Sequence, residues 1–261
     1  MRKAYENALF CGKMDFTDTG GLKMSRISID YIGHSGFLVE TENALMLFDY
    51  YRGDLSALDQ KKPEKPLFVF ASHAHGDHYN PEILKLAGKR REVHYLFSFD
   101  IRSRVRKKEA QELEIEFLDA DQSYEIPGLG TVETFLSTDE GVAFYINTGD
   151  AALFHAGDLH WWDWEGEPAD WLADQERVFK REIGKLSGKH IDAAFVVLDD
   201  RLEGNYARGM NWFLSVCTPA YTLPMHFWED RTVVERYLAQ KPQTGTVILD
   251  TTCETHWDLD I

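Results

Sequence analysis

Cysteine, proline and long apolar runs are scarce in this chain of 261 residues, and acidic residues outnumber basic ones. The three cysteines, Cys11, Cys217 and Cys253, lie far apart and form no C-x-x-C pair, so neither a disulfide framework nor a cysteine zinc site is indicated. No run of about 18 apolar residues predicts a transmembrane helix. Residues 1–21 are polar and lack the apolar centre of a secretory signal. We therefore expect a cytoplasmic protein without a membrane partner.

The balance of charge argues against nucleic acid as a partner. The chain has 28 basic and 44 acidic side chains, which gives a formal net charge of −16. This charge repels phosphate backbones unless basic residues are concentrated on one face. One basic segment, residues 89–108, could form such a face. It is either an ordinary solvated surface or a funnel for an anionic substrate, and the sequence leaves both interpretations open.

Short apolar runs separated by Gly, Asp and Pro predict a chain rich in strands, with helices between them. Strands are predicted at residues 27–32, 37–40, 44–48, 67–71, 93–97, 115–118, 131–136, 142–147, 151–155, 191–198, 221–224 and, as the final strand, 247–249. Helices are predicted at residues 81–86, 101–112 with Asp100 as the cap, 171–186, 206–216 and 231–240. This order predicts an α/β fold in which helices cover two sheets, four layers in all.

The same pattern predicts one main domain. Residues 1–23 precede the first strand and are predicted to be a loosely attached extension. Residues 24–261 are predicted to form the domain that carries the function.

The run H-A-H-G-D-H, residues 73–78, directly follows the predicted strand at 67–71. It places four metal-binding side chains, His73, His75, Asp77 and His78, within six positions. Imidazole nitrogens bind borderline-soft divalent ions such as zinc at about 2.0 to 2.1 Å. A tight turn after a strand lets neighbouring side chains reach different ions. We therefore predict that His73 and His75 bind one ion and that Asp77 and His78 bind a second.

Two metal sites need further ligands, and two later strands end in suitable side chains. Asp158 follows the strand at 151–155, where its carboxylate could bridge two ions, and His226 follows the strand at 221–224. A polar residue after a strand is often an ordinary part of a loop. Together with the H-A-H-G-D-H run, both residues are predicted as ligands.

These residues together resemble the metallo-β-lactamase fold hydrolases, in particular the branch that contains L-ascorbate-6-phosphate lactonase and small metal-dependent hydrolases. The resemblance rests on G-H-S-G-F at 33–37, the strand ending at Asp49, the H-A-H-G-D-H run, Gly157-Asp158 and P-M-H at 224–226, and it extends from Ser25 over most of the chain. It implies an αββα sandwich, which agrees with the layers predicted above. It also implies that Asp49 orients the ligand loop and that His34 lies near the mouth of the site.

One ligand that the resemblance implies is missing from this sequence. Members of the resembled family usually carry a histidine ahead of the strand that corresponds to residues 142–147. Here residues 136–141 read L-S-T-D-E-G. Two alternatives are open. Either Asp139 or, as the second choice, Glu140 supplies an oxygen ligand in place of the histidine, or the first ion is held only by His73, His75, Asp158 and solvent. Oxygen in place of nitrogen shifts the metal preference from zinc toward manganese or iron. We expect two divalent ions, with zinc as the first choice and manganese or iron as alternatives.

Two ions about 3.5 to 4 Å apart can share a water whose pKa falls toward about 7, which supplies hydroxide at neutral pH. The sequence thus predicts a metal-dependent hydrolase that uses a dinuclear metal-bound hydroxide on an ester, lactone or phosphodiester of a small, anionic metabolite. Asp77 would hold or accept the proton, and Asp158 would bridge the ions. His160 opens the run H-W-W-D-W, whose tryptophans are predicted either as a pocket wall or as buried packing. His160 and His34 are each predicted either to contact substrate or to be hydrogen-bonded structural histidines.

Two other classes of function stay open. A nuclease or phosphodiesterase would use the same ions on RNA or DNA, but it needs a basic channel. A di-iron redox protein, or a metal sensor without turnover, is compatible with Asp139 in the place of histidine. The fold does not determine the substrate. The sequence also leaves the oligomeric state open, and a homo-oligomer is compatible with it.

Overall fold

The computed structural model describes residues 25–228, 230–242 and 244–261. In this part of the chain, two mixed sheets of seven strands each pack face to face, and helices cover their outer faces. The predicted four-layer α/β arrangement is confirmed. The predicted extension, residues 1–23, lies outside the described residues, so the extension and the domain boundary after it stay predictions.

The first sheet begins with antiparallel strands and continues with parallel ones. Its consecutive strands are β1 (Arg26–Gly33), β2 (Gly36–Glu40), β3 (Leu45–Phe48), β4 (Leu67–Ala71), β5 (Val93–Ser98) and β6 (Glu116–Leu118). Every residue of β4 is buried, because both faces of the sheet are covered. Phe68 and Phe70 pack in the core between the sheets, whereas Val69 packs on the opposite face, which is the two-residue alternation of a strand.

The second sheet continues the chain and ends in parallel strands. Its members are β7 (Ser123–Ile126), β8 (Gly130–Leu136), β9 (Val142–Asn147), β10 (Ala152–His155), β11 (Ala193–Val197), β12 (Tyr221–Met225) and β13 (Val247–Ile248). Strands β10, β11 and β12 run parallel, so their carboxyl ends lie at one edge of the sheet. A last strand, β14 (His256–Asp260), returns to the first sheet and pairs with β1.

Helices cover the two outer faces. On the first sheet these are α1 (Ser56–Gln60), two 3₁₀ segments (Pro81–Gly88 and Phe99–Ser103) and α2 (Lys107–Glu112). On the second sheet they are α3 (Ala169–Gly184), a 3₁₀ segment (Asp200–Asn205), α4 (Arg208–Val216) and α5 (Thr232–Ala239). Among the described residues, none of these helices combines the length and the apolar character needed to cross a membrane.

Several predicted elements were wrong. The helix predicted at 101–112 is interrupted, because Arg106 has an extended backbone with φ −64° and ψ 135° between the 3₁₀ segment and α2. Asp100 does not cap a helix; its Oδ2 accepts a hydrogen bond from the backbone N–H of Ala74 at 2.8 Å. Strand β13 is not the last one, because β14 follows it, and β7 and α1 were also missed. In β14, which lies at an edge of the first sheet, buried Trp257 and Leu259 alternate with exposed polar residues.

Two glycines allow loops from the second sheet to rest on the loop after β4. Gly141 has φ +67°, and a Cβ there would lie 2.0 Å from the Ser72 carbonyl oxygen. Gly157 has φ +52°, and its Cβ would lie 2.6 Å from Ser72 Cβ. Glycine adopts such backbone angles without strain and leaves the space free. These turns bring two acidic residues against the H-A-H-G-D-H loop: Asp139, which lies two residues before Gly141, and Asp158, which directly follows Gly157.

Replacing Gly141 by alanine is expected to destabilise the protein more than replacing Gly149. Gly149 also has a positive φ, +87°, but an added Cβ there meets no described atom within 4 Å. Gly149→Ala should therefore cost about 1 to 2 kcal/mol from the left-handed backbone alone. Gly141→Ala should cost about 1 to 3 kcal/mol more, because the backbone must also shift to relieve the overlap. Urea unfolding of both variants tests this difference, and equal losses of stability would contradict it.

Candidate metal centre

A buried carboxylate, Asp49, holds the loop after β4 in place. Its Oδ1 accepts a hydrogen bond from the Ser72 backbone N–H at 2.7 Å, and its Oδ2 accepts one from the Ser72 hydroxyl at 2.6 Å. His78 Nδ1 lies 2.7 Å from the same Oδ2, and His73 Nδ1 lies 2.9 Å from the Ser72 hydroxyl. Because the Nδ1 atoms are engaged, both imidazoles keep Nε2 for another partner. This placement agrees with the orienting role that the resemblance implied for Asp49.

Asp158, in the turn after β10, lies among histidines from two other loops. Its Oδ2 is 3.6 Å from His73 Nε2, and its Oδ1 is 3.2 Å from His78 Nε2 and 3.3 Å from His226 Nε2. Burial would raise the pKa of this carboxyl group, but the three imidazoles outweigh burial and hold the pKa of Asp158 well below its usual range. An ionised carboxylate at this position can serve two neighbouring cations.

The predicted ligands gather into two groups. The first cluster contains His73, His75, Asp139 and Asp158, and the second cluster contains His34, Asp77, His78 and His226. In each cluster, one donor atom from every residue lies within 4.8 Å of the donor atoms of the others. The contacts of Asp158 with His78 and His226 connect the two clusters.

The chemistry of these atoms fits divalent metal ions. Several buried donor atoms have no hydrogen-bond partner among the described residues: His78 Nε2, His226 Nε2, Asp158 Oδ1 and both ring nitrogens of His34. A buried polar atom without a partner costs free energy, so such groups are rarely left unpaired. Imidazole and carboxylate donors together suit zinc, manganese or iron. The residues present therefore fit the expected ions.

In the first cluster, Asp139 is better placed than Glu140 to complete the set. Asp139 Oδ2 lies 3.7 Å from His75 Nδ1. Glu140 Oε2 lies 3.5 Å from His75 Nε2, but Glu140 is not within reach of the other donors of the cluster. Burial, with the neighbouring Asp158 charge, raises the pKa of Asp139. The structure thus brings Asp139 together with His73 and His75, which is one of the alternatives that the sequence left open.

The second cluster joins Asp77, His78 and His226 with a residue that was expected elsewhere. His34, predicted near the mouth, has its Nε2 3.3 Å from Asp77 Oδ2, and its ring centre lies 4.3 Å from that of His226. Burial lowers the pKa of His34 to about 4, so its imidazole is neutral at pH 7. A neutral imidazole is the form that binds metal.

Sequence reasoning missed Asp199, which orients His226 from behind. Its buried Oδ2 lies 2.9 Å from His226 Nδ1, and its Oδ1 accepts a hydrogen bond from Arg201 Nε at 2.9 Å. Burial would lower the pKa of His226, but Asp158 and Asp199 outweigh it and raise that pKa to about 10, so a metal ion that binds at Nε2 must displace a proton from this imidazole. A signal was available, because Asp199 follows the buried apolar strand β11 much as Asp158 follows β10.

His160 lies outside both clusters. Its buried ring packs edge-on against Trp162, with 5.1 Å between the ring centres. Its backbone N–H donates to Thr138 Oγ1 at 2.9 Å, and the Thr138 hydroxyl donates to the His160 carbonyl oxygen at 2.6 Å. Burial lowers the pKa of His160 to about 3. This placement, next to the turn that carries Asp139, favours buried packing for His160 over contact with substrate, but its ring is not the hydrogen-bonded one that was expected, because neither ring nitrogen has a hydrogen-bond partner among the described residues.

The clusters open into a cavity of about 230 Å³, which we call the site cavity. Its lining combines candidate ligands with aromatic residues and a cation: Trp162, Trp164, Trp171 and Arg201. Trp162 and Trp164 stack with 5.6 Å between their ring centres. Two tryptophans of the H-W-W-D-W run therefore form a wall, whereas Trp161 packs against Phe179.

Comparison with known proteins identifies a family that this chain matches. Residues 28–165, just over half of the chain, match the β-lactamase superfamily domain. A UPF0173 metal-dependent hydrolase from Heliobacterium modesticaldum is 21% identical over 241 residues, which cover 87% of this chain and 93% of that protein.

Solved structures share the fold. Igni18, a metallo hydrolase from the hyperthermophilic archaeon Ignicoccus hospitalis, has a TM-score of 0.60 at 16% identity over 90% of this chain and 99% of its own. CmlA, a diiron β-hydroxylase from Streptomyces venezuelae, has a TM-score of 0.57 at 12% identity over 93% of this chain and 55% of its own. The two proteins carry different activities on similar folds, so the likeness confirms the predicted metallo-β-lactamase sandwich and does not select a reaction.

Removing the shared carboxylate is expected to empty both metal positions. Protein purified without added metal should hold close to two ions per chain, and Asp158→Ala and His73→Ala should each lower that content. Metal analysis by mass spectrometry measures the loss. Asp174→Ala, an exposed aspartate on α3, is the control and should keep the parent content. Unchanged metal content in Asp158→Ala would remove that residue from the site.

Asp199→Asn is expected to weaken metal binding without removing a ligand. An asparagine keeps the size of the side chain but supports the His226 imidazole less strongly, and losing such a partner typically costs 10- to 100-fold in metal affinity. Competition with a chromophoric chelator measures the change. The matched control is Asp200→Asn, which alters the neighbouring half-exposed carboxylate that pairs with Arg236. Equal affinities for Asp199→Asn and Asp200→Asn would contradict the assignment.

Proposed function

The chain belongs to the β-lactamase superfamily, and from this premise we propose that it is a metal-dependent hydrolase with a dinuclear centre. The observation that carries the proposal is the meeting of two donor clusters at one buried carboxylate, Asp158, beside an open cavity. We assign the first ion to the first cluster. We assign the second ion to Asp77, His78 and His226, with Asp158 shared and His34 beside them.

Zinc is the first choice of metal, with manganese or iron as alternatives because the first cluster contains two carboxylates. When bound, two such ions lower the pKa of water and polarise an ester or phosphoryl oxygen. The protein positions the ions through Asp49 and Asp199, which hold the imidazoles from behind.

Asp77 is the residue that we assign to handling the water. It lines the site cavity, and its Oδ2 lies 3.3 Å from His34 Nε2. Burial would raise the pKa of Asp77, but the neighbouring His34 and His78 outweigh burial and lower that pKa below its usual range. An ionised carboxylate of this kind accepts a hydrogen bond from a water molecule and orients it, and it passes a proton on rather than retaining it.

The site cavity favours a small, anionic substrate. Its volume, about 230 Å³, is below the usual range for drug-sized ligands, about 300 to 1,000 Å³. Arg201 lines it, fixed by Asp199, with its guanidinium carbon 5.5 Å from the ring centres of Trp164 and of Trp228. A fixed cation next to an aromatic wall suits an anionic ester, lactone or phosphodiester. The resemblance to L-ascorbate-6-phosphate lactonase makes a sugar-phosphate lactone the first compound to test. We also propose that the protein is located in the cytoplasm.

The nuclease alternative has less support. The basic segment at 89–108 does not line the site cavity, where Arg201 is the one lysine or arginine among the described residues. Within that segment, Arg90 donates hydrogen bonds to the backbone oxygens of Leu58 and Lys62. Arg102 lies over the Phe117 ring at 5.1 Å. These arginines support the first sheet and its helices and do not form a channel to the clusters.

A di-iron redox protein is the second candidate, and the ligand set of the first cluster favours it. Two histidines and two carboxylates form an oxygen-rich set for an iron ion. CmlA, a diiron β-hydroxylase, shares the fold. Visible absorbance and bound iron in the purified protein would favour this candidate over a zinc hydrolase.

Hydrolysis is tested with metal-loaded protein in ¹⁸O-labelled water. We expect turnover of one or more of a sugar-phosphate lactone, p-nitrophenyl acetate and bis(p-nitrophenyl) phosphate, with one labelled oxygen in the product because the nucleophile is water. A chelator should abolish turnover, and added metal should restore it. Polynucleotides are expected to be cleaved poorly. Cleavage of RNA alone would favour the nuclease, and metal-independent turnover would overturn the proposal.

A further inference from the structure

The two carboxylates of the first cluster come from neighbouring turns of the second sheet. Asp139 lies in the turn between β8 and β9, and Asp158 lies in the turn after β10, which pairs with β9. A donor oxygen of one carboxylate lies within 4.8 Å of a donor oxygen of the other. Like charges at such a distance repel each other. The close approach of the two turns therefore needs interactions that hold them together.

The side chain of Thr138, the residue before Asp139, connects the two turns. Its hydroxyl donates to the His160 carbonyl oxygen at 2.6 Å and accepts a hydrogen bond from the His160 backbone N–H at 2.9 Å. The Asp158 carbonyl oxygen lies 3.3 Å from the same hydroxyl. Since His160 is two residues beyond Asp158, a single hydroxyl group joins the turn of one carboxylate to the turn of the other.

Asp158 is fixed by other contacts, whereas the position of Asp139 depends on the backbone of its turn. Three imidazoles surround the Asp158 carboxylate, and the Trp162 indole N–H donates to its backbone carbonyl oxygen at 3.0 Å. The Asp139 side chain is 45% exposed, and its Oδ2 lies 3.7 Å from His75 Nδ1, which is beyond hydrogen-bond distance. The Asp139 backbone N–H donates to Ser137 Oγ at 3.1 Å, a bond within the turn.

Helix α3 supports the same turn through its backbone. The Gln175 side-chain amide donates to the Thr138 carbonyl oxygen at 3.1 Å. At the end of the turn, the Val142 backbone N–H donates to the Ser72 carbonyl oxygen at 2.9 Å, which ties the turn to the loop after β4. Thr138 is thus held at two points, with its carbonyl group on α3 and its hydroxyl on the turn after β10.

We propose that Thr138 is a positioning residue for the first metal ion, because its hydroxyl holds Asp139 within reach of the ion that His73, His75 and Asp158 bind. This inference rests on the proposed dinuclear centre. Without the hydroxyl, the turn that carries Asp139 can move away from the Asp158 charge, and the first ion then loses a ligand. The second cluster contains no residue of this turn, so the second ion keeps its ligands.

The test withdraws zinc from the metal-loaded, full-length protein with rising concentrations of a chromophoric chelator, so that the two ions leave in two steps. Thr138→Val keeps the shape of the side chain and removes the hydroxyl. It should weaken binding of the first ion about 10- to 100-fold, the usual effect of losing a group that holds a metal ligand. The step of the second ion should stay unchanged. Thr138→Ser keeps the hydroxyl and should release both ions as the parent does.

A double-mutant cycle with Asp139→Ala shows whether Thr138 acts through Asp139. Asp139→Ala should weaken one of the two steps, which identifies that step as the first ion. Thr138→Val should then add little in the Asp139→Ala protein, because the ligand that Thr138 positions is already gone. A general loss of structure would instead add its full effect in both backgrounds.

Thr134→Val is the matched control. Thr134 is buried in β8, and its hydroxyl makes the same pair of bonds, to the Asp119 carbonyl oxygen at 2.6 Å and from the Gln122 backbone N–H at 3.1 Å. It belongs to neither cluster and does not line the site cavity. The control should lose stability to urea but release both ions as the parent does. If Thr138→Val does not fold, Thr138→Ala compared with Thr138→Ser isolates the hydroxyl in the same way.

Three outcomes would overturn the inference alone. Parent-like release of both ions from Thr138→Val would mean that the hydroxyl holds no ligand. Equal weakening in Thr138→Ser and Thr138→Val would mean that the side chain acts by packing. A full additional effect of Thr138→Val in the Asp139→Ala protein would mean that it does not act through Asp139. A parent protein that releases a single ion would contradict the dinuclear centre itself, and would overturn the proposed function together with this inference.

Discussion

The site depends on the burial of one negative charge, Asp158, among imidazoles that come from other loops. A carboxylate removed from water is tolerated when it is paired, and here His73, His78 and His226 surround it. That pairing requires the ends of β4, β10 and β12 to converge within a few ångströms. The αββα sandwich meets this requirement by directing the carboxyl ends of its parallel strands to one edge. The two glycine turns then allow the loops to touch.

Each sheet also supplies a carboxylate that stands behind a histidine. Asp49 follows β3 in the first sheet and engages Nδ1 of His78, and Asp199 follows β11 in the second sheet and engages Nδ1 of His226. Both histidines therefore present Nε2 to the centre and are fixed before any ion arrives. Arg201 extends this arrangement outward, because the residue that fixes Asp199 also lines the site cavity. Ligand orientation and the lining of the cavity are thus connected through one ion pair.

Much of the fold and of the candidate site could be predicted from local sequence, and the remainder depended on contacts between distant segments. The H-A-H-G-D-H run places its donors by its own spacing, so these donors were predictable. His34 joined the second cluster because of its position against Asp77 and His226, which no spacing in the sequence reveals. Asp199 follows β11 much as Asp158 follows β10, but its contact with His226 joins distant segments and is not visible in local sequence. The helix expected at 101–112 was interrupted because tertiary contacts outweighed its propensity, and Asp100 was used to hold Ala74 in the metal loop.

The donors come from both sheets: the loop after β4 belongs to the first, and the turns after β10 and β12 belong to the second. An ion bound by donors from both sheets would cross-link the two sheets of the sandwich. Since the unfolded chain offers no such arrangement, metal adds to the stability of the folded chain by mass action, about 4 kcal/mol when the free ion exceeds its dissociation constant a thousandfold. The melting temperature of this protein should therefore rise with the concentration of free metal ion in the solution around it.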